Sequence, residues 1–104
     1  MRKLREIALA ITTDIGDRRG EASVYGNLGT VFNSLGDYAK AEGYLQKALA
    51  IRIEIGDRSG EAKTYGNIGT LFNSLADNVK AKQCFEKALA ISMEIGDRGG
   101  QSRY

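Results

Sequence analysis

A tandem repeat constrains this chain more than any other feature of its sequence. Residues 16–55 and residues 56–95 align without a gap, and 25 of the 40 positions are identical. Most of the remaining differences are mild, such as Leu28 against Ile68 and Val31 against Leu71. A fixed period of this size is typical of solenoids and other arrays, in which one supersecondary unit stacks on the next. The repeat therefore predicts a single array-like domain spanning residues 1–104.

Each copy predicts two helices joined by a short turn. Apolar side chains recur at steps of three and four, which places them on one face of a helix. The first stripe in repeat 1 comprises Ala22, Tyr25, Leu28, Phe32 and Leu35, and the second comprises Tyr38, Ala41, Leu45, Ala48, Leu49 and Ile55. The chain has no Pro and shows no strand-like alternation. We expect an all-α fold, an α-solenoid of antiparallel helix pairs with about five helices.

The repeat boundaries are predicted from a recurring Gly-Asp-Arg triplet at 16–18, 56–58 and 96–98. Glycine commonly ends a helix in the left-handed conformation, and aspartate commonly caps the next one. Residues 1–15 match the second half of a repeat and predict a lone helix. Repeats 1 and 2 then occupy residues 16–55 and 56–95. Residues 96–104 begin a further unit, which we expect to be frayed.

Two glycines lie inside the first helix of each copy, and each costs about 1 kcal/mol relative to alanine in a helix interior. We expect Gly29 and Gly69 to allow the paired helix to approach closely. For Gly26 and Gly66 two interpretations stay open. They either serve the same close approach or leave room on an exposed groove.

Charge and composition exclude several classes of function. The net charge is +2, and Lys and Arg are interleaved with Asp and Glu, which indicates a solvated helical surface. An RNA-binding repeat protein would need a basic groove with stacking groups, so we expect no nucleic-acid partner. No apolar run approaches the length of a membrane span. We expect no membrane partner and a cytoplasmic location.

The residues needed for catalysis are sparse. The chain has no His, the most common general base and metal ligand. Its single cysteine, Cys84, aligns with Tyr44 and is expected to fill a partly apolar helix position. Glu54 and Arg58 are four residues apart and predict a surface ion pair. The glycine-rich segments match no phosphate-binding loop. We therefore expect a non-catalytic protein with no cofactor and no metal site.

The combined pattern resembles tetratricopeptide repeats. The residues that carry this resemblance are Tyr25, Leu28, Gly29, Phe32, Ala41, Leu45 and Ala48, and in the second copy Tyr65, Ile68, Gly69, Phe72, Ala81, Phe85 and Ala88. The turn Gly36-Asp37-Tyr38 is similar to that of the family, whereas Ala76-Asp77-Asn78 departs from it. The 40-residue period resembles the longer-repeat branch with Gly-Asp-Arg-rich animal scaffold arrays and Leu-Gly-Asn-type adaptors.

The resemblance implies that the first helix of each pair lines a concave groove that binds a peptide. The positions outside the apolar stripe are small or polar there: Ser23, Gly26, Asn27, Thr30, Asn33 and Ser34 in repeat 1, and Lys63, Gly66, Asn67, Thr70, Asn73 and Ser74 in repeat 2. A carboxamide can both donate to and accept from an extended peptide. Stacking of the repeats would place Asn27 beside Asn67, so we expect these two residues to form a ladder for the ligand.

Two functions follow as hypotheses. The first is a protein–protein interaction module that holds a peptide in the concave groove. The alternative is a structural segment of a larger scaffold that self-associates through exposed terminal helices, with or without helix exchange between chains. Repeat units bury their faces only against neighbours, and the last full helix carries Phe85, Ala88, Leu89 and Ile91. We therefore expect two kinds of partner, a protein or peptide ligand and further copies of the chain.

Overall fold

The protein is described by a computed structural model, which covers the backbone of residues 15–100 and the side chains of residues 17–96. This part of the chain contains four α-helices and no strand: α1 (Ile15–Ser34), α2 (Tyr38–Glu54), α3 (Arg58–Ser74) and α4 (Asn78–Gly100). Helix α1 packs on α2, α3 packs on α4, and α2 joins the two pairs by packing on α3. The all-α solenoid prediction is confirmed. The helix predicted in residues 1–15 lies outside the described residues, apart from Ile15.

The main hydrophobic core lies between the repeats. Ala41 and Leu45 from α2 pack against Ile68 and Leu71 from α3. All four are nearly inaccessible to solvent, with Leu45 at 1% and Leu71 at 0% exposure. Each repeat therefore depends on its neighbour for burial, as expected of a solenoid.

Two glycines allow the helices of each pair to approach closely, as predicted. A Cβ atom on Gly29 would lie 2.5 Å from Leu45 Cγ, and one on Gly69 would lie 2.8 Å from the Phe85 ring. Carbon atoms do not approach to such distances without displacement, so any larger residue would push the helices apart. By contrast, a Cβ on Gly26 or Gly66 would meet no atom within 4 Å.

The turns inside the two repeats have the same geometry despite their different sequences. Gly36 has φ +82°, and Ala76 takes the same left-handed region at φ +61°. In both turns the following aspartate N–H donates to the phenylalanine carbonyl of the preceding helix, at 2.9 Å to Phe32 and 2.8 Å to Phe72. Because its Cβ is crowded in this region, Ala76 destabilises its turn by about 1–2 kcal/mol relative to glycine.

The Gly-Asp-Arg triplet breaks the helix at only one of its three occurrences. At the repeat junction Gly56 has φ +72°, and the Asp57 carboxylate accepts a hydrogen bond from the Gly60 N–H at 3.0 Å. Helix α1 instead begins before Gly16, and α4 runs through Gly96 to Gly100. The predictions of breaks at 16–18 and 96–98 were therefore wrong.

A neighbouring arginine explains this difference. The Arg52 guanidinium donates to the Asp57 carboxylate at 2.6 Å and so ties the end of α2 to the start of α3. The positions equivalent to Arg52 hold Thr12 and Ser92 at the other two triplets, and neither residue can form this ion pair. A Gly-Asp pair permits a turn, but the turn forms where other contacts stabilise it.

Two smaller predictions also need correction. Leu35 was assigned to the apolar stripe, yet it is 71% exposed, because it follows the last residue of α1, where the chain turns. Glu54 does not pair with Arg58. Instead, Glu54 pairs with Arg18 of α1, and the equivalent bridge in repeat 2 joins Arg58 to Glu94 at 2.9 Å. Both bridges connect the two helices of one repeat.

Candidate functional site

Helices α1 and α3 lie side by side and present their equivalent polar faces to a common cavity. This cavity, called here the groove cavity, has a volume of about 100 Å³. Its lining comprises Ala22, Ser23, Gly26, Asn27, Arg52, Lys63, Thr64 and Asn67. The predicted neighbours Asn27 and Asn67 thus line the same space. Gly26 borders this space without a side chain, and nothing lies within 4 Å of the position a Cβ would take.

The two asparagines of the groove cavity keep their hydrogen-bonding groups unused. Asn27 is exposed and Asn67 is half-buried. Among the described residues, neither carboxamide has a hydrogen-bond partner. Each therefore has two N–H donors and a carbonyl acceptor available to a ligand.

The predicted hydroxyl residues bond mainly to their own helices. Thr30 donates to the Gly26 carbonyl and Thr70 donates to the Gly66 carbonyl, both at 3.1 Å. Ser74 donates to the Thr70 carbonyl at 3.2 Å. Such bonds to the carbonyl four residues earlier are common for Ser and Thr inside helices. The side chains remain exposed, as does Ser34, so their oxygens can still accept a hydrogen bond.

Asn33 and Asn73 lie away from the groove cavity. The Asn33 Oδ1 atom is buried, with no hydrogen-bond partner among the described residues. Asn73 lines a different cavity, of about 470 Å³, beside Phe85 and Leu89 of α4. Of the four predicted asparagines, Asn27 and Asn67 therefore line the groove cavity, whereas Asn33 and Asn73 do not.

Arg52 shapes the groove cavity and was not predicted from the sequence. It is 8% exposed although it carries a charge. Its guanidinium donates to Asp57 at 2.6 Å and to the Ser23 Oγ at 3.0 Å, so it connects α2 with both inner helices. A Cβ on Gly60 would lie 2.6 Å from Arg52 Nε, so glycine is required for this arginine to lie against α3. The difference between Arg52 and Ser92 in aligned copies was the available signal.

The carboxylate of Asp57 balances the charge of Arg52. Desolvation raises the pKa of Asp57, but the hydrogen bonds from the Gly60 N–H and from Arg52 lower it more, and the net pKa is below its ordinary value. Asp57 is thus ionised at neutral pH. Because the Arg52 charge is neutralised locally, Lys63 is the remaining cation in the lining of the groove cavity.

The described residues give no sign of catalytic chemistry. Within them, no group of three or more acidic or cysteine side chains is placed to hold a metal ion. Burial raises the pKa of the Cys84 thiol, while Lys87 lowers it less, so the thiol is protonated at neutral pH and poorly nucleophilic.

Comparison with protein families decides the family. The family model described as "Tetratricopeptide repeat" matches residues 1–54 and 20–94. The chain belongs to the tetratricopeptide repeat family. No curated protein matches it in sequence. Tetratricopeptide repeats generally act as protein–protein interaction modules and are typically non-catalytic, so a protein partner is the expected ligand of this one.

Across residues 15–100, no helix has both the length and the apolar composition required for a membrane span.

Proposed function

We propose that the chain binds a peptide segment of a protein partner along the surface formed by α1 and α3. The observation that supports this most directly is the groove cavity itself. It brings together Asn27 and Asn67 from equivalent positions of the two repeats, and both carboxamides are unpaired within the described residues. A peptide backbone supplies the N–H and C=O groups that such carboxamides bind.

The packing around the groove cavity supports the proposal, because it holds the two inner helices in a fixed relation. Arg52 lies under the cavity and bonds to both Ser23 and Asp57. A preformed surface binds with less loss of conformational entropy than one that must become ordered. Ser23 therefore has a structural role, whereas its equivalent Lys63 is exposed and free to contact a ligand.

Thr30 and Thr70 extend the same surface by one helical turn, and Ser34 and Ser74 by another. We assign them a secondary role, since the hydroxyl protons of Thr30, Thr70 and Ser74 are already donated to backbone carbonyls. Asn33 and Asn73 are assigned no direct contact with a peptide in the groove cavity.

A selection experiment tests the proposal without a known ligand. Random peptides displayed on phage are enriched on the wild-type chain, and the affinity of an enriched synthetic peptide is measured by calorimetry. The Asn27→Ala/Asn67→Ala variant is expected to bind it about 5- to 150-fold more weakly, because each lost hydrogen bond contributes about 0.5–1.5 kcal/mol. Asn73→Ala is the matched control and should retain the affinity.

Unchanged affinity in the double variant, with unchanged helicity, would contradict the proposal. Equal losses in the double variant and in Asn73→Ala would also contradict it, because the peptide would then contact the separate cavity that Asn73 lines.

Self-association is a second candidate, favoured by two exposed faces that match the buried junction. Phe85 on α4 is 40% exposed, whereas the equivalent Leu45 of α2 is 1% exposed. Leu89 on α4 is 60% exposed, whereas the equivalent Leu49 is half-buried. On α1, Val31 is 52% exposed, whereas the equivalent Leu71 of α3 is 0% exposed. Head-to-tail stacking of α4 of one copy on α1 of the next would repeat the junction between repeats 1 and 2.

Such a contact is heterologous, so it would build open chains of increasing mass rather than closed dimers. Sedimentation analysis over a wide concentration range tests it. The average mass should rise with concentration for the wild type and remain that of a monomer for Leu89→Asp. A monomeric wild type at the highest concentration would exclude self-association.

A further inference from the structure

Repeat 2 contains an open cavity between two aromatic rings. Its lining includes Tyr65 and Phe72 of α3 and Lys80, Gln83, Cys84 and Lys87 of α4. Its volume is about 340 Å³. We call this cavity the aromatic slot. It shares no lining residue with the groove cavity and is therefore a separate site.

In repeat 1, the ring of Tyr44 occupies the place that corresponds to the aromatic slot. Tyr44, which aligns with Cys84, stacks its ring against two others. The Tyr44 centroid lies 5.9 Å from that of Tyr25, with an interplanar angle of 23°, and 5.5 Å from that of Phe32, with an angle of 10°. In repeat 2, the cysteine leaves the space of this middle ring empty among the described residues.

The outer rings and the lysines over them are arranged alike in both repeats. In each copy one lysine lies over each of the two outer rings. The distances from Nζ to the ring centroid agree closely: Lys40 to Phe32 5.3 Å, Lys80 to Phe72 5.5 Å, Lys47 to Tyr25 5.4 Å and Lys87 to Tyr65 5.4 Å. Lys47 also lies 5.7 Å from the centroid of Tyr44 itself. The frame that holds a ring is thus intact in repeat 2 although its own ring is missing.

We propose that the aromatic slot accepts a tyrosine or phenylalanine side chain from a bound protein partner. The incoming ring would stack between Tyr65 and Phe72 as Tyr44 stacks between the corresponding residues of repeat 1. Lys87 would face it, which favours an electron-rich ring.

The size and the opening of the slot agree with this occupant. An apolar protein cavity of about 150 Å³ is enough to bind benzene. The slot is larger and opens to the surface, since Lys80, Gln83 and Lys87 at its edge are exposed. A ring that remains attached to a polypeptide can therefore enter it.

The chemistry of Cys84 agrees with a packing role. Its thiol is half-buried and, as described above, protonated at neutral pH. Cysteine at this position supplies a small, weakly polar wall rather than a nucleophile. As the sole cysteine of the chain, it also gives a specific chemical reporter for occupation of the slot.

The probe for the test is N-acetyl-tyrosinamide, which carries the ring on a short stretch of peptide backbone. NMR titration of the wild-type chain should shift the amide signals of residues lining the slot. Alkylation of Cys84 by iodoacetamide should slow in proportion to the occupied fraction. N-acetyl-leucinamide, the aliphatic control, should produce neither effect.

Exchange of the two aligned residues gives a sharper test. Cys84→Tyr should abolish probe binding, because the chain's own ring then fills the slot. The double variant Tyr44→Cys/Cys84→Tyr should bind the probe with similar affinity but at Tyr25 and Phe32 of repeat 1. Cys84→Ser, which keeps the side chain small, should retain binding in the titration.

Several results would overturn the proposal. These are undiminished binding in Cys84→Tyr, equal binding of the leucine control, and binding of free p-cresol without binding of N-acetyl-tyrosinamide. The last result would mean that the slot admits only a free phenol. Asn27→Ala/Asn67→Ala should leave probe binding unchanged, so a failure of the groove proposal and a failure of the slot proposal can be distinguished.

Discussion

Repeats 1 and 2 have the same helices and turns but differ in what covers them. Leu45 of repeat 1 is packed beneath α3 at 1% exposure, whereas the aligned Phe85 of repeat 2 is 40% exposed. Tyr44 completes a stack of three rings, whereas Cys84 leaves that stack open. The same backbone therefore leaves a space between the rings of repeat 2 that repeat 1 fills with its own side chain, and this space is a candidate for binding.

Truncation of the aligned core residues should show the largest difference between the repeats. Leu45→Ala is expected to lower the free energy of unfolding by about 2–5 kcal/mol, the usual range for a buried leucine. Phe85→Ala should cost clearly less, despite its larger side chain, because much of the ring is already in contact with solvent. Chemical denaturation at low protein concentration measures both.

Equal losses for Leu45→Ala and Phe85→Ala would mean that Phe85 is covered in solution. Concentration-dependent stability of the wild type would then assign this cover to a second copy of the chain.

The ring stack gives the next largest difference. Tyr44→Cys should destabilise the fold by about 1–3 kcal/mol, since two stacked pairs contribute about 0.5–1.5 kcal/mol each beyond their burial. Cys84→Tyr should change stability in the opposite direction, because it places a ring in a frame that already fits one. Thermal unfolding of both variants provides the measurement. A destabilised Cys84→Tyr would show that the two frames are not equivalent.

The two internal turns should respond in opposite ways to exchange of alanine and glycine. Ala76→Gly is expected to stabilise the fold by about 1 kcal/mol, because it relieves the left-handed strain of an L-residue. Gly36→Ala should destabilise it by a similar amount. A loss of stability in Ala76→Gly, measured by urea unfolding, would mean that Ala76 makes contacts that offset its strain.

The smallest expected effect concerns the junction between the repeats and depends on pH. The folded pKa of Asp57 is lowered, so its ion pair with Arg52 stabilises the fold fully above about pH 4, the unfolded pKa of an aspartate. This contribution is lost as the pH falls through the folded pKa. Asp57→Asn should remove this part of the pH dependence and make the fold less stable at neutral pH.

The test measures the free energy of unfolding of the wild type and of Asp57→Asn from neutral to acidic pH. The quantity of interest is the difference between the two. The difference should shrink as the pH falls. A constant difference would show that the charge of the Asp57 carboxylate does not contribute to stability.

Much of the fold follows from local patterns that the sequence displays directly. The apolar spacing predicted all four described helices, and Gly29 and Gly69 predicted the close approach of the paired helices. These features depend on residues near one another in a helix. The predictions at the triplets 16–18 and 96–98 were wrong because a Gly-Asp pair turns only where tertiary contacts stabilise the turn. At the repeat junction that contact is the ion pair between Arg52 and Asp57, and the other two triplets have no arginine at the position of Arg52.

The candidate sites were less predictable, because they depend on contacts across the repeats. The meeting of Asn27 and Asn67 could be expected from stacking alone. The burial of the Asn33 Oδ1 atom and the hydrogen bond from Arg52 to Ser23 could not be predicted, because both depend on how the helices pack against one another. The aromatic slot results from a single difference between the copies, Tyr44 against Cys84. The sequence did not predict the slot, because its existence depends on where the surrounding rings lie.

NMR mapping of a peptide enriched by phage selection tests the central claim most directly. The account predicts that the largest amide shifts fall on α1 and α3, around Asn27, Lys63 and Asn67, and that they vanish in Asn27→Ala/Asn67→Ala. Shifts confined to the outer helices α2 and α4, with the groove cavity unaffected, would contradict it.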